Sequence, residues 1–136
     1  MARKLDFGHI RQIFIGEDLT FRIQLVTKDS AGADVVEGDV SGNAYIMTIK
    51  KTPADAAALI DVDTAGGEIT FANGDTALNE LSGTNTVLAI VLSDTETELI
   101  TEDGVYHYDI WRTDAGSESL VAFGTITFST GVRTLP

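Results

Sequence analysis

The sequence predicts an all-β fold, an immunoglobulin-like antiparallel β-sandwich. Apolar and polar residues alternate with period two in several runs along the 136-residue chain, and Gly- and Asp-containing turn signals separate these runs. Stretches that favour helix are few and short. With 43% apolar residues the chain can fill one core, and its length suits a single domain. We therefore expect one sandwich domain over residues 10–136, preceded by an N-terminal arm over residues 1–9.

Strands are predicted first where the alternation is clearest. The apolar members of these three runs are Phe21, Ile23 and Leu25; Tyr45, Met47 and Ile49; and Tyr106, Tyr108 and Ile110. Residues 87–92 and 120–128 are apolar on both faces, which is typical of strands central to a sandwich or covered on both sides. Shorter strands are predicted over residues 10–15, 59–62 and 69–71. Residues 29–43 and 73–85 lack clear periodicity, and they are either extended loops or carry short irregular strands.

One or two short helical turns are also predicted. Residues 53–58 form the first candidate, with Thr52 as its cap and Pro53 at the first helical position. Residues 93–99 form the second, because Ser93 is followed three residues later by Glu96, the spacing of a capping box.

Charge is distributed unevenly along the chain, whose formal net charge is -12. Residues 1–28 hold five basic and three acidic residues, whereas residues 29–128 hold eighteen acidic residues against Lys50, Lys51 and Arg112. A mildly basic arm thus precedes a strongly acidic body that would repel nucleic acid. The asymmetry either serves solubility alone or lets the arm of one copy lie on the body of the next.

Several classes of protein are disfavoured by what the sequence lacks. Without cysteine the chain has no disulfide, no thiolate metal site and no cysteine nucleophile. No stretch has the roughly 18 apolar residues of a membrane span, and no signal peptide is visible, so we expect a soluble protein without membrane partners.

Catalytic groups are scarce. Neither a Gly-x-Ser-x-Gly elbow nor a phosphate loop is present, and the two histidines are His9 in the arm and His107 inside a predicted strand. We expect His107 to be a half-exposed sheet residue, and we expect neither enzymatic activity nor a cofactor.

Three carboxylates, those of Asp61, Asp63 and Glu68, flank a predicted turn at Gly66 and Gly67. Oxygen ligands that converge in this way suit a hard cation such as calcium, although the EF-hand spacing is absent. The alternatives are a bound cation and a solvated turn, and the sequence favours the turn.

Candidate protein-interface residues occur in two places. The arm carries Arg3, Lys4, Leu5 and Phe7, a basic and apolar set that we expect to pack on a neighbouring copy, with or without exchange of the arm. Trp111 falls on the strand face opposite Tyr106 and Tyr108, which we expect in the core. Trp111 therefore packs on the second face, contributes to an interface, or forms a platform for sugar.

Several segments, in this order, resemble a family of small bacteriophage virion domains, which includes the N-terminal domain of phage baseplate upper proteins and related fibre-anchoring modules. The segments that carry the resemblance are Gly16-Glu17-Asp18-Leu19-Thr20-Phe21, Tyr45-Ile46-Met47-Thr48-Ile49-Lys50-Lys51, Leu88-Ala89-Ile90-Val91-Leu92-Ser93-Asp94-Thr95, Gly104-Val105-Tyr106-His107-Tyr108-Asp109-Ile110 and Phe123-Gly124-Thr125-Ile126-Thr127-Phe128.

The resemblance implies a non-enzymatic structural protein of the virion, assembled in the cytoplasm of the bacterial host. It would dock in many copies on a capsid, neck or tail surface, as a head decoration, tail component or fibre adaptor. Its partners would be other virion proteins and copies of itself, in a homo-oligomer or a lattice. The alternative is a β-sandwich that binds carbohydrate or a cell surface.

Deletion of residues 1–9 is expected to leave a folded domain whose assembly is impaired. Circular dichroism of the truncated chain tests this prediction. Loss of the β signal would show that the arm belongs to the core.

Overall fold

Ten strands build the molecule. The structure, a computed structural model, describes residues 5–15, 18–36 and 38–129, with the backbone alone for residues 5–14. The strands are β1 (Leu5–Phe14), β2 (Leu19–Gln24), β3 (Val26–Lys28), β4 (Asp34–Val36), β5 (Tyr45–Lys50), β6 (Ile60–Asp63), β7 (Ile69–Gly74), β8 (Gly83–Leu92), β9 (Gly104–Arg112) and β10 (Ser119–Ser129).

The strands form two stacked sheets and a small ribbon. One sheet has five strands in the order β1-β10-β9-β5-β6, and the other has three in the order β2-β8-β7. All pairs within them are antiparallel except β1 with β10, which is parallel. Strands β3 and β4 pair as a separate two-stranded ribbon. The predicted all-β sandwich is confirmed.

The core lies between the two sheets, where the inward positions of both meet. The five-stranded sheet contributes side chains such as Met47, Tyr106 and Ile110, and the three-stranded sheet contributes Ile23, Leu88 and Ile90 among others. All are at most 2% exposed. Alternation in β5 and β9 therefore predicted the buried face correctly, including Tyr106 and Tyr108.

The two runs that are apolar on both faces occupy interior places in the sheets. Strand β8 lies between β2 and β7, and strand β10 lies between β1 and β9. A strand with neighbours on both sides is shielded from water more completely than an edge strand. The prediction of central strands over 87–92 and 120–128 is confirmed.

Of the two predicted helical turns, only the second forms. Helix α1 (Asp94–Thr97) has Ser93 as its N-cap, and the reciprocal bonds of the capping box with Glu96 are both present. The helix predicted over 53–58 is wrong. There the carboxylate of Asp55 accepts hydrogen bonds from the backbone N–H and hydroxyl of Thr52, at 3.0 and 2.7 Å, and closes a turn. The hydroxyl of Thr52 donates to Asp55 instead of accepting a backbone N–H as that of Ser93 does, so Thr52 does not cap a helix.

The two segments without periodicity carry short elements. Residues 29–43 contain β4, which folds back on β3 through a turn held by the Asp29 carboxylate. Residues 73–85 contain a 3-10 helical turn (Thr76–Leu78) capped by Asp75, and the first residues of β8.

The N-terminal boundary differs from the prediction. Strand β1 was expected over residues 10–15 behind an arm over 1–9, but the strand begins at Leu5, opposite Ala122 of β10. Leu5, Phe7 and His9 therefore stand in an edge strand, while Arg3 and Lys4 lie outside the described residues. Deletion of residues 1–9 would consequently also remove part of a strand.

Within the described residues, no helix has the length and apolar character needed to cross a bilayer.

Tyr106 fixes the start of β9. Its hydroxyl donates a 2.7 Å hydrogen bond to the backbone carbonyl of Glu102, and its ring packs edge-on against Phe128 with 5.5 Å between centroids. The ammonium group of Lys51 lies 4.4 Å from the centroid of the same ring. Burial, and then the charge of Glu102, raise the pKa of Tyr106, so the phenol keeps the proton that it donates.

Replacement of Tyr106 by Phe is expected to lower the free energy of unfolding by about 1 kcal/mol, because the ring contacts stay and one hydrogen bond is lost. Urea unfolding of wild type and of Tyr106→Phe, monitored by circular dichroism, measures the difference. An unchanged midpoint would show that the hydroxyl contributes nothing to stability.

Candidate interaction face

The outward positions of β5, β9 and β10 form a continuous surface, which we call the open face. All eleven of its side chains contact solvent, Val105 and Trp111 as exposed residues and the others as half-buried ones. The members are Ile46, Thr48, Lys50, Val105, His107, Asp109, Trp111, Leu120, Phe123, Thr125 and Thr127. Trp111 lies on this face, opposite in direction to Tyr106 and Tyr108, as the alternation predicted.

An apolar row crosses one end of the open face. Trp111 is the cross-strand partner of Ile46 on one side and of Leu120 on the other. The indole is 40% exposed, which is unusual for so large an apolar group in a 136-residue chain. Aromatic residues placed in this way are typical anchors of protein interfaces.

A bulge in β10 completes the apolar row. Leu120 pairs with Trp111 but the next pair is Ala122 with Ile110, so Val121 is an extra residue. Val121 and Ala122 are both buried although they are adjacent. The insertion places Leu120 and Phe123, three positions apart, on the same face of the sheet.

Next to the apolar row the open face has a concavity of about 360 Å³. Its lining includes Lys50 and His107, which are cross-strand partners, and Thr48 and Asp109, which form the adjacent pair. Pro53, Leu120 and Phe123 supply apolar walls. The site can thus offer one cation, one anion, an imidazole and a hydroxyl beside apolar surface.

The formal charges of the eleven open-face residues cancel, but Asp61 and Asp63 of β6 adjoin them on the same side of the sheet, opposite Thr48 and Ile46. Lys50 and Asp109 are the charged residues of the open face, and they occupy diagonal positions on neighbouring strands. Among the described residues there are three salt bridges, and neither Lys50 nor Asp109 belongs to them. Both charged groups remain able to pair with another molecule.

The outer face of the three-stranded sheet is covered at one end by the chain itself. Gln24 exchanges two hydrogen bonds with the backbone of Leu81, at 2.6 and 2.9 Å, and Arg22 forms a 2.7 Å salt bridge with Glu80. Beneath this segment Val87, at an outward position, is completely buried. The segment 73–82 therefore shields that sheet, whereas the open face keeps its apolar groups in solvent.

The structure describes the other predicted interface residues only in part. Leu5 and Phe7 lie in β1, whose side chains fall outside the description, and Arg3 and Lys4 lie outside it altogether. Of the five predicted interface residues, Trp111 is the one whose side chain the structure describes. His107 is half-buried on the sheet, as expected.

The carboxylates near the turn at Gly66 bind backbone amides. The carboxylate of Asp63 accepts a 2.6 Å hydrogen bond from the N–H of Gly66, and Glu68 accepts a longer bond of 3.4 Å from the N–H of Asp63. Asp61 is exposed on the strand. In the part of the chain that the structure describes, no three acidic or histidine side chains are grouped so that they could hold a metal ion.

Five residues of the open face were not predicted as site residues: Thr48, Lys50, Asp109, Leu120 and Phe123. The alternation in β5 and β9 already placed Thr48, Lys50 and Asp109 away from the core, which was the available signal. The pairing of these strands and the bulge in β10 are long-range features, and local patterns do not contain them.

No protein-family model matches the chain, and no curated protein matches it either.

The pair between Arg22 and Glu80 generates a prediction about pH. The hydrogen bond from Arg22 lowers the pKa of Glu80, so this pair stabilises the fold above the ordinary carboxyl pKa, and the contribution is lost as the pH falls through the lowered value. Glu80→Gln is expected to cost about 1 kcal/mol at pH 7, since the pair is only partly buried.

The difference between wild type and Glu80→Gln should begin to shrink as the pH falls below the ordinary carboxyl pKa of about 4.3, and it should be lost below the lowered pKa of Glu80, where both residues are neutral. Urea unfolding at several pH values measures it. Glu118→Gln, which removes an exposed carboxylate, is the control. A difference that stays constant with pH would contradict a contribution from the ionised pair.

Proposed function

We propose that this protein is a non-enzymatic structural protein of a bacteriophage virion, which docks on other virion proteins through the open face. The observation that carries the proposal is the exposed Trp111, which stands in an apolar row with Ile46 and Leu120 on the outer face of one sheet. An exposed aromatic side chain among apolar neighbours is typical of a surface that docks on other proteins.

The segments that resemble the virion domains support this proposal through their places in the fold. The segment over 45–51 contains β5, the segment over 88–95 joins β8 to α1, and those over 104–110 and 123–128 lie in β9 and β10. Three of the five segments therefore supply strands of the open face. The segment over 88–95 supplies a strand and the helix cap that close the core beneath, and the segment over 16–21 ends in β2.

We also propose that the sandwich is immunoglobulin-like. The grouping of β2, β8 and β7 against β10, β9, β5 and β6 agrees with the strand partition of a variable-type domain, in which B, E and D face G, F, C and C′. The bond from Tyr106 to Glu102 matches the tyrosine corner at the start of strand F. Tyr108 then stands where disulfide-bonded domains have their second cysteine.

The alternative function, binding of carbohydrate or a cell surface, is favoured by the concavity. Lys50, Asp109 and Thr48 offer polar partners for hydroxyl groups, and Phe123 offers an aromatic wall. Trp111 lies beside the concavity, as the cross-strand partner of Leu120, which lines it. Catalysis has less support, since His107 is a strand residue and the chain has no serine elbow and no cysteine.

Replacement of Trp111 by Ala is expected to leave the fold intact, with a loss in free energy of unfolding below about 2 kcal/mol, because the side chain is 40% exposed. Loss of an interface anchor should weaken docking by about tenfold or more. Electron microscopy of particles assembled with the wild-type chain or with the Trp111→Ala chain measures how many copies each particle incorporates.

Val91→Ala is the matched control, since Val91 is 37% exposed on the other sheet. Particles that incorporate Trp111→Ala as fully as wild type would refute docking through the open face. Glycan binding that Trp111→Ala abolishes, with normal incorporation, would instead support the carbohydrate function.

A further inference from the structure

We propose that the partner protein of the open face presents an arginine, whose guanidinium group binds between Asp61 and Asp109 while its stem packs on the apolar row. The inference rests on the proposed role of the open face in docking, and it assigns a chemistry to the partner. Asp61 in β6 and Asp109 in β9 are the cross-strand partners of Thr48 on its two sides. Cross-strand partners share one face of a sheet, so these three residues form a row, which we call the carboxylate row.

Both carboxylates of this row are available to a partner. Among the described residues, neither Asp61 nor Asp109 accepts a hydrogen bond or belongs to a salt bridge. The next outward carboxylate of β6, that of Asp63, instead accepts a 2.6 Å hydrogen bond from the N–H of Gly66. Two strand spacings separate Asp61 from Asp109, so their Cα atoms are about 10 Å apart. One cationic group can lie in that interval and contact both side chains.

The charges around the carboxylate row select a cationic occupant. The outward positions of β5, β6, β9 and β10 hold three carboxylates, those of Asp61, Asp63 and Asp109, against the one ammonium group of Lys50, a formal balance of -2. A partner that covers the apolar row also removes water from the carboxylates beside it. An acidic partner would be repelled, and an uncharged one would leave these carboxylates desolvated without a counter-ion, which is costly. A basic partner avoids both penalties.

The distance between the two rows suits a long basic side chain. Ile46 and Trp111 of the apolar row stand two residues from Thr48 and Asp109 along the same strands, so the rows are about 7 Å apart. Basic side chains pack their methylene stems on apolar surface while the charged end stays with polar groups. Arginine is the better choice, because its guanidinium group stacks on an indole and has five N–H donors for two carboxylates. The indole of Trp111 is 40% exposed and accessible for this stacking.

Titration of the full chain with a short basic peptide tests the proposal. The probe is a pentapeptide of alternating arginine and glycine with blocked ends, and the matched peptide has citrulline, which is uncharged and of similar shape, in place of arginine. Chemical shifts of the 15N-labelled chain, followed up to about 10 mM peptide, measure a dissociation constant expected near 1 mM. The shifts should concentrate on β5, β6 and β9. The citrulline peptide should bind about tenfold more weakly or not at all.

Variants of the chain assign the binding to the two rows. Asp61→Asn and Asp109→Asn should each weaken the arginine peptide about threefold, and Trp111→Leu should do so to a similar extent because the stacking is lost. Lys50→Gln should strengthen binding about twofold, since it removes the competing cation, and a gain of affinity cannot come from misfolding. Glu98→Gln is the control, because it removes an equal charge at an exposed position that ends α1.

Equal binding of the arginine and citrulline peptides, or no binding of either up to about 10 mM, would overturn the arginine site. So would Asp61→Asn and Asp109→Asn chains that bind the arginine peptide as Glu98→Gln does. Incorporation of Trp111→Ala into particles separates this failure from that of the proposed function. If the carboxylate variants bind normally but Trp111→Ala still abolishes incorporation, the open face docks on a partner without a basic anchor.

Discussion

The register of β9 between β5 and β10 is the constraint on which the rest of the structure depends. In one direction this strand sends Tyr106, Tyr108 and Ile110 into the core, and in the other it sends His107, Asp109 and Trp111 to solvent. Because side chains alternate with period two, a slip of one residue would bury an aspartate and expose two tyrosines. Stability of the core and chemistry of the open face are thus set by the same hydrogen-bonded pairs.

Tyr106 and its surroundings hold that register at the beginning of the strand. The bond to Glu102 ties the tyrosine to the loop that follows α1, and the contacts with Phe128 and Lys51 tie it to β10 and to the end of β5. At the opposite end, Arg112 donates hydrogen bonds to Asp114 and to Asn43, so the hairpin of β9 and β10 is joined to the residues before β5. Strand β9 is therefore fixed at both ends by side-chain bonds that cross between elements.

The fold was predictable where local chemistry decides the structure. Alternation found β5 and β9, and the spacing of Ser93 and Glu96 found α1. Prediction failed where local bonds had alternatives, as at Thr52 and Asp55, which close a turn instead of beginning a helix. It was also incomplete for the open face. Trp111 was identified from its place in the alternation of a single strand. Lys50 and Asp109 become neighbours only because two strands pair across 59 residues of sequence, and no local pattern encodes that pairing.

The bulge at Val121 has a consequence for how the apolar row can vary. In a regular strand, residues 120 and 123 point in opposite directions, so the same sequence paired without the bulge could present only one of Leu120 and Phe123 to solvent. A shift of the bulge to another position in this strand would thus exchange apolar side chains between the core and the solvent without any change of sequence. The position of the bulge, as much as the identity of the side chains, determines which residues the domain presents to a partner.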